Sequence, residues 1–202
     1  MSSKQLAQDR PGLFEEIAFE HIDSLYSTAL RLTQSKQDSE DLVQDTYLKA
    51  FQFFSRFEPG TNFKAWIFKI LMNTFINRYH KKLRTPKSVQ FEKVEFSIEA
   101  DPKTEELQEF LKNKDNYKNI FNDEVVSAVE KMPSNYRIAV LLCDLESFSY
   151  KEISDMLDIP IGTVMSRISR GRQFLQKALL DYAKKEGFLR EKQSERMEKI
   201  KQ

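Results

Sequence analysis

The 202 residues carry 32 Lys and Arg against 31 Asp and Glu, a net charge of +1, with only five glycines and six prolines. A single cysteine, Cys143, excludes an internal disulfide and a cysteine-based zinc cluster; no apolar run reaches the roughly 20 residues that span a bilayer, and the opening MSSKQLAQDRPG has no apolar signal core. Apolar positions at helical spacing predict an all-α chain of two small helical domains joined by a flexible acidic linker, cytoplasmic by default and without membrane insertion.

Taken in order, Phe14, Ile17, Ala18, Leu25, Ala29 and Leu32 predict one amphipathic helix that includes His21. The next helix is expected to start at Asp38, capped by its carboxylate, and to bury Val43, Tyr47, Phe51 and Phe54. Its opposite side carries Asp41, Gln44, Asp45 and Lys49, a polar stripe open to two readings: a solvated face, which composition alone favours, or a docking surface. A loop over 57–63 holds Pro59 and Gly60 between aromatics. A long helix from Lys64 to Leu83 follows, with Trp66 and Ile70 expected in the core. Trp66, Phe68, Phe75 and Tyr79 alternate there with cations, and residues 59–91 contain no acid, a pattern suited to tracking phosphates and stacking unpaired bases. Asn73 and Asn77, one turn apart, add amides that can bond base edges; His80 in this run is too isolated for catalysis.

Residues 86–122 read as the acidic linker, partly helical near 104–112. A helix from Asp123 to Met132 is expected to pack through Val125, Val126, Val129 and Met132, and after Pro133 a second is expected to bury Ile138, Leu141, Leu142 and Leu145, with Cys143 as a packing residue. Residues 149–172 then have the pattern of a helix-turn-helix. Ser149 and Glu152 match a capping box, Ile153 and Leu157 face a core, and Pro160 suits a helix start. Beyond it Ile161, Val164, Ile168, Gly171 and Leu175 share one face, leaving Thr163, Ser166, Arg167, Ser169 and Arg170 on the other, a short cationic surface that fits the major groove. Residues 181–202 form a charged tail without an interpretable motif. No glycine-rich phosphate loop, catalytic-triad spacing or metal cluster appears, so neither an enzyme nor a cofactor is expected.

Four stretches, DSEDLVQDTYLKAF (38–51), FEPGTNFKAWIFKILMNTFINRY (57–79), MPSNYRIAVLLCDLESFSYKEIS (132–154) and IPIGTVMSRISRGR (159–172), resemble in order and spacing the extracytoplasmic-function group of bacterial sigma factors. The resemblance implies a promoter-recognition domain over 12–85, the linker over 86–122 and a helix-turn-helix domain over 123–180. It implies core RNA polymerase, promoter DNA and an anti-sigma factor as partners. By the same resemblance Asp41, Leu42, Gln44, Asp45 and Tyr47 dock on the polymerase. Phe57, Asn62, Phe63, Asn73, Asn77 and Lys81 meet the downstream promoter element, and Thr163, Ser166, Arg167, Ser169 and Arg170 meet the upstream one. Met165 departs from the often basic family residue and Ser169 from an often larger one. Two other readings of the residues stand beside it: a self-sufficient helix-turn-helix regulator, and an adaptor that binds only proteins.

Overall fold

The computed structural model describes residues 10–84 and 123–188, and every regular element among them is helical. The chain divides into two compact units, the first holding the described helices before residue 85 and the second those after 122, with Leu30–Gln34 assigned to the second. The expected linker and its helix near 104–112, the side chains of His80 and Lys81, and the tail beyond 188 lie outside the described residues.

The first unit contains α1 (Arg10–Phe19), α2 (Ile22–Thr33), α3 (Lys36–Phe53) and α4 (Phe63–Arg84). The single opening helix expected from periodicity is two. At the end of α1 the Ala18 carbonyl accepts both the Tyr47 hydroxyl, at 2.7 Å, and the His21 N–H, at 3.1 Å, so a tight turn replaces the next α-helical bond. Helix α3 begins two residues before Asp38, because Ser35 caps it by accepting the Asp38 N–H at 3.2 Å. Its buried face is Leu42, Val43, Thr46, Tyr47 and Ala50. That face is centred between the 42–46–50 and 43–47 rows, which leaves Phe51 exposed and Phe54, in a 3-10 turn over Phe54–Arg56, half-buried. Helix α4 lies along α3 and buries Ile67, Phe68, Leu71, Met72 and Thr74; Trp66 and Ile70, expected inside, sit half-buried at the edge of this stripe.

The second unit contains α5 (Asp123–Lys131), α6 (Ser134–Val140), a π-helical turn (Leu141–Leu145), α7 (Tyr150–Leu157), α8 (Ile161–Ala178) and α9 (Leu180–Lys185). Ala128 and Met132 are the buried positions around α5, whereas its three valines are half-buried. Ala139, Val140, Leu141 and Leu142 carry the core of the next segment. The π-turn, closed by the Glu146 N–H on the Leu141 carbonyl at 3.1 Å, takes an extra residue and rotates Leu145 into solvent. Cys143 is half-buried, and burial and the Asp144 carboxylate push its thiol up. Helix α8 packs on α6 and α7 through Val164, Ile168 and Gly171, the last so close that an added Cβ would stand 2.5 Å from Val140 Cγ2. Ile161 is exposed and Leu175 half-buried, so the buried stripe is shorter than its sequence pattern. Helix α9 runs past residue 180, where the second domain was expected to end.

Candidate nucleic-acid and polymerase interfaces

In the first unit, the loop between α3 and α4 is built by a turn with Pro59 and Gly60 at its centre. Gly60 has φ +89°, and the Thr61 N–H and hydroxyl both donate to the Glu58 carbonyl, at 3.2 and 2.7 Å. Asn62 then caps α4, its side-chain oxygen accepting the Ala65 N–H at 3.1 Å. Behind the loop lies an aromatic cluster. Phe63 packs edge-on against Phe14, Phe54 and Phe57, with centroids 5.2–6.3 Å apart, and His21 stacks on it at 5.8 Å. Phe63 is therefore a core residue, 7% exposed, and not the base-contacting side chain expected; it holds half-buried Phe57 and Trp66 at the surface, 5.4 Å apart. Further along α4, Asn73 and Asn77 are exposed at successive turns on the same side as Trp66.

The polar stripe of α3 divides in the same way. Leu42, 1% exposed, and Tyr47, 7% exposed with its hydroxyl on Ala18, belong to the core rather than to a docking face. Asp41, Gln44 and Asp45 remain accessible. Arg78 of α4 clamps two of them, donating to the Asp45 carboxylate at 2.5 Å and to the Asp41 carbonyl at 3.1 Å, while Lys49 donates to Thr74 at 3.1 Å. That clamp was not legible in the sequence, because it joins positions 33 residues apart.

In the second unit, the Ser149 capping box starts α7: its hydroxyl accepts the Glu152 N–H at 3.3 Å while the Glu152 carboxylate accepts the Ser149 N–H at 2.9 Å. Asp158, at φ +52°, ends α7 in the left-handed region, and Ser154 donates to the Ile159 carbonyl at 2.6 Å to fix the turn. Pro160 stands just before α8, its carbonyl accepting the Thr163 and Val164 N–H groups. On α8, Ser166, Ser169 and Arg170 are exposed, and Thr163 and Arg167 half-buried. Ser166 donates to the Thr163 carbonyl at 2.9 Å, and Arg170 reaches the Tyr136 hydroxyl at 3.4 Å. Arg172 is a basic residue on the same helix with a different task. Its guanidinium forks onto Asp144 at 3.2 and 2.5 Å, and that bond raises its pKa further.

These two units match known proteins in the same order. The Sigma-70 region 2 family matches residues 19–85 and the Sigma-70 region 4 family residues 122–175. The chain is 33% identical over 141 residues to the ECF RNA polymerase sigma-E factor of Salmonella typhimurium, a match covering 67% of this chain and 71% of that relative. The chain belongs to the extracytoplasmic-function group of sigma-70 factors. The sigma factor is also 31% identical over 170 residues to the ECF RNA polymerase sigma factor SigE of Mycolicibacterium smegmatis, covering 84% of this chain but 63% of that relative. Among solved structures it is similar, at TM-score 0.59 and 27% identity, to the sigma factor RpoE of Bartonella quintana in complex with the anti-sigma factor NepR, over 82% of this chain and 97% of that one. In region 2 terms, the aromatic-backed loop and the outer side of α4 form one surface and the α3 stripe another; region 4 offers the outer side of α8. Among the described residues no group of acids, histidines or cysteines could hold a metal ion, and no helix is long and apolar enough to cross a membrane.

Proposed function

We propose that this sigma factor joins core RNA polymerase, directs it to promoters that carry two spaced elements, and promotes opening of the downstream one. The observation that carries this reading is that each unit offers an accessible polar surface where its family region is matched. Those surfaces are Asn73 and Asn77 beside Trp66 in the first, and Ser166, Ser169 and Arg170 in the second. The domains run 12–85 and 123–180, the second extended by α9 to Lys185, with 86–122 as linker and the charged tail after them.

Asp41, Gln44 and Asp45 dock on the polymerase, with Leu42 and Tyr47 supporting them from the core. Phe57, Asn62, Asn73 and Asn77 meet the downstream element, to which the family resemblance alone adds Lys81; there capture of unstacked bases offsets an unstacking cost of a few kcal/mol. Thr163, Ser166, Arg167, Ser169 and Arg170 read the upstream duplex, where a good bidentate Arg pair discriminates by about 1–3 kcal/mol. The work is done by binding energy, in the cytoplasm, with no reaction catalysed by this chain and no cofactor. Purified protein and core polymerase on a promoter library, with start sites sequenced, test this: defined starts sharing two spaced motifs are expected, and starts that do not depend on the added protein would overturn it.

An anti-sigma partner is part of the proposal, supported by the NepR complex of the Bartonella relative. Co-purification from resting and stressed cells is expected to yield such a partner in one state and polymerase in the other. A pool bound to polymerase in both states counts against it.

A further inference from the structure

The exposed side of α8 contains a side chain that its charge pattern does not account for. Met165 is 53% exposed in the first two turns of the helix, and Ile161, one turn before it, is 49% exposed. Both are large apolar groups on the helix proposed to enter the major groove, whose N-terminal residues are the ones that meet base edges in this motif. The residues around Met165 on that side are small: Gly162, Ser166 and Ser169, and a Cβ built on Gly162 meets nothing within 4 Å. Met165, with Ile161 one turn before it, is thus the large apolar side chain left accessible there. Its thioether chain, with three rotatable bonds and no hydrogen-bonding group of strength, adapts to an apolar partner. In the major groove there is one such partner on base edges, the C5-methyl group of thymine.

We propose that Met165 is a specificity-determining residue that packs on a thymine methyl in the upstream promoter element, with Ile161 covering its flank. The proposal rests on the reading of α8 as the upstream-element helix and adds to it a requirement for thymine that the serines and arginines do not impose. Hydroxyls bond to several base edges and Arg prefers guanine, so without Met165 this position of the element discriminates poorly between thymine and the other bases.

The test uses the full chain with core polymerase on a promoter selected from the library. Each thymine of the upstream element, on either strand, is replaced singly by deoxyuridine, which removes the methyl group and keeps every hydrogen-bonding edge. At one position the wild type is expected to lose about fourfold in open-complex formation, the value of one buried methyl group. Met165→Ala is expected to be indifferent to that same replacement, and Met165→Leu to retain the sensitivity. Because Met165 is exposed, neither variant should lose its fold, and unchanged thermal melting checks this. An upstream element without thymine, full tolerance of deoxyuridine by the wild type, or a Met165→Ala variant that keeps the sensitivity would each overturn the proposal while leaving the helix assignment intact. Selected promoters that share no upstream element would overturn both.

Discussion

Asp45 and Tyr47 lie two residues apart on α3 and have opposite fates, and each can be tested separately. Asp45 is partly exposed and paired with an equally exposed Arg78, so the pair contributes under about 1 kcal/mol to stability. Asp45→Arg is expected to place two guanidiniums together, lower stability by no more than about that amount, and abolish association with core polymerase. The double swap Asp45→Arg with Arg78→Asp separates the two effects. Stability measured by urea unfolding should recover, whereas association, measured by co-migration with core enzyme, should not; recovery of both would show that the pair matters only for folding. Tyr47 is inside, and Tyr47→Phe removes the hydroxyl that satisfies Ala18, at an expected cost of about 1 kcal/mol with core binding unchanged. Burial holds the Tyr47 phenol above its ordinary pKa of 10.0, so above pH 10 the unfolded chain releases a proton that the folded one retains. The contribution is whole below pH 10 and declines as pH rises, by up to about 1.4 kcal/mol per unit. The stability difference between wild type and Tyr47→Phe, measured from pH 9 to 11, should therefore shrink with rising pH; a constant difference would place Tyr47 in contact with water.

Among elements, α8 has its placement tied to a single residue. Gly171 faces Val140, Met132 and Tyr136, and a Cβ there would stand 2.5 Å from Val140 Cγ2. Alanine at a helix interior gains about 1 kcal/mol in propensity, but Val140 is stiff at χ1 and overpacking costs about 1–3 kcal/mol. Gly171→Ala is expected to destabilise the second unit by about 1 kcal/mol, and Val140→Ala in the same chain to remove the clash, leaving only its own cavity cost. A melting temperature raised by Gly171→Ala alone would mean that α8 can shift outward freely. The sequence made this element legible because its signals are local: the Ser149 capping box, the Asp158 to Pro160 turn and the serine and arginine face are all read within a few residues. The break between α1 and α2 was not legible, since the Tyr47 hydroxyl that holds Ala18 comes from 29 positions away. The same holds for Phe63, whose burial depends on Phe14 and Phe54 from other elements, and for the pairing of Arg172 with Asp144, 28 residues away. Periodicity also misplaced Leu145, because a π-turn breaks the 3.6-residue count from within.

At the scale of the molecule, charge decides how much the chain can do alone. Nonspecific affinity for DNA comes from phosphate neutralisation, with log K falling by about 0.9 per phosphate contact for each tenfold rise in salt. With 32 basic and 31 acidic residues the chain as a whole has little long-range attraction for a polyanion; its acid-free run over 59–91 belongs to the surface proposed for unpaired bases, and on α8, where Arg172 is committed to Asp144, Arg167 and Arg170 are the cations among the proposed upstream-element residues. A few contacts of this kind hold duplex DNA weakly, and a downstream element that must be unstacked adds a cost before it adds binding. The free sigma factor is therefore expected to give no footprint on its promoter at about 0.15 M salt, where a Debye length of about 8 Å screens exposed charges. With core polymerase added, protection should extend over both elements, because the enzyme contributes its own phosphate contacts and holds the two surfaces on one duplex. Footprinting the same fragment with free chain, core enzyme and the two together distinguishes this from a self-sufficient regulator. Protection of the upstream element by the free chain alone, persisting at that salt, would assign recognition to the helix-turn-helix without polymerase. Its absence until core enzyme is present would make promoter recognition a property of the assembly.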